Sequence, residues 1–162
     1  MWNKPDVLRE EGFDSLVTAD SNRNINKKLK LHIMGKNIEK IARICWNTYE
    51  WTRPSGKEGK SKAENSFERI YGFGHEEWLL DKSRIYMEYH YGFLQPMNVK
   101  SGIHIGNTYD IHLFTISPQK QRLYVGCLHN AIGIGPDESK EVFAYYKEKG
   151  WLKQMEDEIP WQ

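Results

Sequence analysis

The chain has 162 residues and a formal net charge of +1, which fits a single domain, residues 1–162, with an ordinary hydrophobic core. Residues 22–62 hold eleven Lys and Arg against three acids, and this local charge of +8 predicts either a surface that faces a polyanion or a solvated lysine-rich face. No apolar run approaches ~18 residues and no apolar segment follows Met1, so we expect a cytoplasmic protein that does not bind membranes.

The first third of the chain has weak signals for secondary structure. Residues 1–30 form a peripheral N-terminal segment of polar, acidic and turn-forming types, with a loop near Asp20. The spacing of Leu29, Ile33, Ile38, Ile41 and Ile44 predicts one or two helical stretches between residues 26 and 46. Residues 52–65 are basic and nearly without apolar side chains, so they are expected to form an exposed loop.

Strands and helices are predicted more firmly after Gly74. Alternating apolar and polar positions predict a strand over residues 85–93 and two further strands over residues 109–116 and 122–132, paired antiparallel across a turn at 117–121. A helix opens at Asp137 or Ser139, ends at Gly150 and is followed by a short amphipathic segment, so residues 137–158 are closing helices. This order predicts an α+β domain built on a small antiparallel, strongly curved sheet or β-barrel flanked by helices.

The strongest candidate site combines aromatic rings with a basic loop. Trp46, Asn47 and Trp51 precede a loop of small and basic residues at 53–62. Indoles stack on a base extruded from a duplex, cations contact its phosphates, and polar groups such as Asn47, Ser55 and the backbone at Gly56 complement the edge of a cytosine. The alternative is that Trp46 belongs to the core and Asn47 forms a turn.

Two further clusters carry weaker signals. Residues 71–81 bring Gly72 and Gly74 close to Trp78, where either a pocket wall or a core position is expected, and His75 lacks the second histidine that a zinc-binding helix would need. His104, Asn107 and His112 are too crowded along the chain for an HNH nuclease site. Alternation along the strand instead predicts an ordinary polar face that carries Asp110 and His112.

The two cysteines give no sign of catalysis either. Cys45 and Cys127 lie outside any CxxC pair and are expected to be reduced, buried side chains. We therefore expect no catalytic residue, no metal and no cofactor in this chain.

Taken together, several motifs give the chain a family resemblance. The segments that carry it are residues 44–47, 54–57, 66–68, 71–81 and 90–95. With them the chain resembles the EVE-like reader domains of the PUA superfamily, which stand at the N-terminus of modification-dependent HNH restriction endonucleases. The resemblance covers about residues 31–155, residues 72–79 are its most specific part, and residues 145–152 look like the helix that closes such domains.

This resemblance implies a small β-barrel flanked by helices that flips 5-methylcytosine or 5-hydroxymethylcytosine from DNA into an aromatic cage. Carried onto this sequence, the modified-base pocket consists of Trp46, Asn47, Trp51, Ser55, Gly56, Trp78, Tyr89 and Tyr91. The residues expected to contact the DNA backbone are Arg53, Lys57, Lys60, Lys62 and Arg69.

The family's nuclease half has no counterpart in this sequence, so we expect a non-catalytic chain, either a separated reader domain or a stand-alone binder. Its expected partners are double-stranded DNA carrying a modified cytosine and a C-terminal or partner nuclease domain of a restriction system, and a homodimer is left open. Two alternatives remain: an RNA-binding PUA-type module and a metal-dependent nuclease domain.

Overall fold

The computed structural model describes residues 37–60, 64, 66–97 and 102–159 and, for the backbone alone, residues 16–20. The helical prediction for residues 26–36 and the phosphate contact predicted at Lys62 lie outside these ranges. Within them, no helix has the length and apolar character needed to cross a membrane.

Six strands form one sheet. They are β1 (Leu16–Asp20), β2 (Ile38–Arg43), β3 (Ile85–Tyr86), β4 (Tyr89–Phe93), β5 (Thr108–Ile116) and β6 (Arg122–Gly133), in the spatial order β2-β5-β6-β1-β4-β3. β5 and β6 pair antiparallel as predicted, whereas β2 joins β5 in parallel, and β1 links this three-stranded part to the β3–β4 hairpin. The structure is α+β, and in the described ranges no pairing joins the outer strands β2 and β3.

In the described ranges three helices accompany the sheet: α1 (Phe67–Tyr71), α2 (Pro136–Glu148) and α3 (Trp151–Glu158), with 3-10 turns at His75–Trp78 and Gln95–Met97. The predicted closing helices are confirmed. Pro136 occupies the first turn of α2, and Gly150, at a φ of 72°, reverses the chain between α2 and α3. The side chains between these helices and the turn at residues 75–78 form a helix-side core that includes Phe73, Trp78, Val142 and Tyr146.

A second group of buried residues, the sheet-side core, packs on one face of β5. Tyr109, Ile111 and Leu113 alternate with the more exposed Asp110 and His112, which is the period of two that a half-covered strand requires. The polar face predicted for Asp110 and His112 is confirmed. Ile44, Trp51 and Leu79 join this core from neighbouring segments.

The helical prediction is wrong for residues 38–43, which form β2. Ile38 and Ile41 have the spacing of a helix face, yet they are 58% and 75% exposed, and only Ala42 of this strand is buried. Backbone pairing with β5 decides the conformation here, because contacts distant in sequence outweigh a weak local preference.

The single strand predicted over residues 85–93 is a hairpin instead. Met87 and Glu88 have φ angles of 47° and 68°, so they turn the chain between β3 and β4. Two consecutive left-handed residues make the tight turn that suits the twist of paired strands. The alternating pattern of side chains continues through the turn without interruption, and for this reason it predicts a single strand.

Candidate nucleic-acid interface

The loop that carries the predicted pocket is fixed by the carboxylate of Glu77, which is fully buried. Its Oε2 accepts hydrogen bonds from Asn47 Nδ2 at 2.9 Å and from the backbone N of Ser55 at 2.7 Å. Its Oε1 accepts from the backbone N of Gly74 at 2.9 Å. Glu77 therefore joins the loop at residues 46–60 to residues 72–79, the segment that is the most specific part of the resemblance.

Lys60 belongs to this buried network and is not a phosphate contact. Its Nζ lies 3.1 Å from Glu77 Oε2 and donates to Ser55 Oγ at 3.2 Å and to the carbonyl of Trp46. Three acceptors match the three protons of an ammonium. The prediction that Lys60 binds the DNA backbone is corrected, because moving its charge to a phosphate would leave Glu77 buried without a counter-ion. The loop is also less exposed than predicted, since Pro54 and Lys60 are buried.

Asn47 forms the turn between the two indoles. Its Oδ1 accepts from the backbone N of Tyr49 at 2.6 Å and of Trp51 at 3.0 Å, and its Nδ2 also donates to the carbonyl of Arg53 at 2.7 Å. Both donors and the acceptor are used inside the protein, so Asn47 has no group left for a base edge and the predicted role is corrected. Ser55 likewise points into the network, with Oγ 3.4 Å from Glu77, and Gly56 stands beside it at a φ of 80°.

Trp51 is a core residue. It is 9% exposed and packs in the sheet-side core, and its Nε1 donates to the carbonyl of Cys45 at 2.9 Å. Its φ of 56° is unusual for a bulky side chain and is held by the hydrogen bond from its N–H to Asn47. The structure thus removes Trp51 from the predicted pocket.

The aromatic residues predicted from later segments lie elsewhere. Trp78 is buried in the helix-side core with its Nε1 2.6 Å from Glu158, and Tyr91 is buried there with its hydroxyl 3.3 Å from Glu138. Tyr89 is exposed on β4, 6.5 Å from the ring of Tyr91. Seven of the eight residues expected to form one cage are therefore distributed over two cores, the buried network and the surface, and only Trp46 differs.

Trp46 remains at an open site, which we call the Trp46 cleft. The cleft has a volume of about 640 Å³, and its walls include Cys45, Trp46, Lys57, Glu68, Pro118 and Lys120. Trp46 is half-buried, and Gly59 packs so closely on the edge of its indole that a β-carbon on Gly59 would collide with the ring. The indole N–H is buried and has no hydrogen-bond partner among the described residues. An unsatisfied buried donor is rare in proteins and calls for an explanation.

The rim of the cleft is mainly cationic. Arg43, Lys57 and Lys120 are exposed there, and the walls also include Glu58 and Glu68. The sequence does not indicate Arg43 or Lys120 as cleft residues, because its pattern predicts a helix over β2 and only a turn at Lys120. Among the other predicted phosphate contacts, Arg53 lies 4.0 Å above the ring of Tyr49, and Arg69 is exposed on α1.

Burial favours the neutral forms of both Cys45 and His75. Burial raises the pKa of the Cys45 thiol well above its usual range, so the side chain stays protonated in the cleft wall. Burial also lowers the pKa of His75 to about 4, and its ring packs among those of Phe67, Phe73 and Phe93. His75, expected either in a pocket or at the surface, is a neutral packing residue. Over the described ranges, no group of three potential metal ligands converges.

Comparison with known proteins gives no match: no protein-family model, no curated protein and no solved structure is significantly similar to this chain. The geometry of the Trp46 cleft is therefore the main guide to function.

Proposed function

We propose that the chain is a non-catalytic reader module that holds one extruded base, a modified cytosine of DNA, in the Trp46 cleft. The observation that carries this proposal is the combination of an indole, a hollow and a cationic rim at one place. A volume of about 640 Å³ lies within the roughly 300–1,000 Å³ of small-ligand sites and leaves room for a single base. Such a module would direct a nuclease of a restriction system to modified DNA.

Each part of the cleft has a role in this proposal. The indole face of Trp46 stacks on the base, and Arg43, Lys57 and Lys120 attract the flanking phosphates. The amino group of a cytosine donates a hydrogen bond to a carboxylate, such as that of Glu58 or Glu68. A small displacement of the loop at Gly59 would let the unsatisfied N–H of Trp46 reach an acceptor of the base.

The expected discrimination between cytosine and its methylated form is modest. One buried carbon contributes about 0.8 kcal/mol, or roughly a fourfold change in affinity. Extrusion costs a few kcal/mol and stacking returns about 1–3 kcal/mol, so phosphate contacts must supply most of the remaining affinity. The binding should therefore weaken strongly as the salt concentration rises.

The EVE-like barrel is part of the same proposal. Its support is the set of motifs that resemble this family and the six-stranded order in which β1 joins the two parts of the sheet.

The proposal is tested by titrating labelled duplexes that contain 5-methylcytosine, 5-hydroxymethylcytosine or plain cytosine, and an RNA of the same sequence, at one salt concentration. We expect a modified duplex to bind most tightly and Trp46→Ala to weaken that binding about tenfold or more. Tyr89→Ala is the matched control, since Tyr89 is an exposed ring away from the cleft. Equal affinity for all DNA duplexes would refute recognition of the modification, and preference for the RNA would favour a PUA-type RNA-binding module.

A further inference from the structure

A second hollow lies on the outer face of the sheet, and we call it the sheet-face groove. It has a volume of about 670 Å³ over β2, β5 and β6, and its walls include Arg43, His112, Phe114, Arg122, Leu123 and Tyr124. The groove has no role in the reader site proposed at the Trp46 cleft.

The groove exposes apolar and aromatic side chains next to one another. Ile41 is 75% exposed, Tyr124 is 67% exposed and Leu123 is 40% exposed. Contiguous apolar surface of this kind usually marks an interaction site. The ring of Tyr124 is held in place, because its hydroxyl lies 3.2 Å from Nδ1 of His112 and the two ring centroids are 6.1 Å apart.

The charge of the groove is one-sided. Its walls contain Arg43 and Arg122, and none of the described residues that line it is acidic. A chain with a net charge of only +1 thus places two cations beside an exposed tyrosine. Aromatic faces between cations are typical of surfaces that bind single-stranded nucleic acid, where bases stack and phosphates follow the positive charge.

The groove and the Trp46 cleft are neighbours. Arg43 and Ile116 line both hollows, so a strand with one base in the cleft can continue directly into the groove. We propose that the strand flanking the inserted base runs across the sheet-face groove, stacks an adjacent unpaired base on Tyr124 and places its phosphates beside Arg43 and Arg122. This inference rests on the proposed function and adds to it the path of the strand.

The test compares the wild type with Tyr124→Ala, Arg122→Gln and Trp46→Ala on single-stranded DNA carrying one 5-methylcytosine. One probe is just long enough to fill the cleft, and the other extends beyond it on both sides, within the roughly 4–16 nucleotides that such surfaces cover. Met87→Ala is the matched control, because Met87 is 69% exposed in the β3–β4 turn at the other edge of the sheet. Thermal unfolding checks that every variant is folded.

We expect Tyr124→Ala to weaken binding of the longer probe about tenfold and to leave the shorter probe unchanged. Arg122→Gln should reduce the slope of log affinity against log salt by about 0.7 on the longer probe. Trp46→Ala should weaken binding of both probes, and Met87→Ala of neither.

Three results would overturn the strand path. In the first, Tyr124→Ala and Arg122→Gln bind the longer probe as tightly as the wild type does, while Trp46→Ala binds it more weakly. This result would leave the reader proposal intact. The second is wild-type binding to the modified duplex but to neither single strand. The third is a dimer of this chain that Tyr124→Ala dissociates and nucleic acid does not, which would assign the groove to a second copy. Failure of the wild type to bind any modified probe would instead refute the proposed function itself.

Discussion

Trp46 and Trp51 stand five residues apart, and the turn between them carries the two indoles into different surroundings. The N–H of Trp51 donates to the carbonyl of Cys45 and its ring packs in the sheet-side core. The N–H of Trp46 has no partner in the part of the chain that the structure describes, and its ring borders an open cleft. The amide of Asn47 makes this division, because it binds the backbone of Tyr49 and Trp51 and so fixes the turn.

The two indoles differ in whether their N–H is satisfied. Leaving a polar group buried without a partner costs about 1–3 kcal/mol, and this makes the N–H of Trp46 a candidate donor to a ligand. In this molecule the indole that contributes to the core is satisfied, whereas the indole at the cleft is not.

The largest effect is expected at the network that supports both indoles. Glu77→Gln removes the only carboxylate that the structure places against Nζ of Lys60 within the described ranges, and it should destabilise the protein by about 3–5 kcal/mol in urea unfolding. Glu158→Gln, which affects a more exposed carboxylate that contacts Arg84, is the control and should cost less. A loss below 1 kcal/mol for Glu77→Gln would show that the network does not hold the loop.

Acid is expected to destabilise the helix-side core through His75, which is not part of the Trp46 cleft. The pKa of His75 is about 4 in the folded protein and near 6.5 when unfolded, so its contribution to stability is complete above pH 6.5 and is lost as the pH falls through 4. This loss amounts to about 3 kcal/mol for His75. The free energy of unfolding of the wild type and of His75→Phe, measured from pH 7 to pH 4, isolates the contribution of His75. Other buried titratable groups, such as Glu76 and His90, are present in both proteins and cancel in the difference.

We expect His75→Phe to lose less stability in acid than the wild type and to bind modified DNA normally at neutral pH. Parallel pH profiles for the two proteins would contradict the assignment of His75 as a neutral, buried ring.

The smallest expected change in stability comes from replacing each indole by a phenyl ring, and it compares Trp46 and Trp51 directly. Trp51→Phe removes a hydrogen bond and leaves the carbonyl of Cys45 buried without its donor, so it should destabilise the protein by about 1–3 kcal/mol. Trp46→Phe removes a donor that has no partner, so it should leave the stability unchanged or raise it slightly, while it weakens binding of modified DNA. Equal destabilisation by both substitutions would mean that the two rings have the same structural role.

The elements that were predictable from the sequence are those with local signals. β5 and β6 have alternating side chains and a turn in which Lys120 adopts a φ of 65°, and α2 and α3 are marked by Pro136 and Gly150. β2 was missed because its conformation comes from pairing with β5, about 70 residues later in the chain.

The candidate site was predicted only in part, for the same reason. The motif around Trp46 and the basic loop led to the cleft, but the burial of the other rings depends on distant partners. Trp78 is fixed by Glu158, and Lys60 by Glu77, whereas the sequence shows only an indole and a lysine. The sequence prediction did not include a role for Glu77. The available signal was a carboxylate three residues after Gly74, which can bind the backbone of the loop that precedes it.

The central claim, that the Trp46 cleft holds a base, is tested most directly by the indole N–H resonances of nitrogen-15-labelled protein during titration with a 5-methylcytosine duplex. Trp46→Phe and Trp51→Phe each remove one signal and so assign the pair. We predict that the resonance of Trp46 moves as its N–H gains an acceptor, while that of Trp51 stays in place. Saturable binding of the duplex with an unchanged Trp46 resonance would contradict the claim.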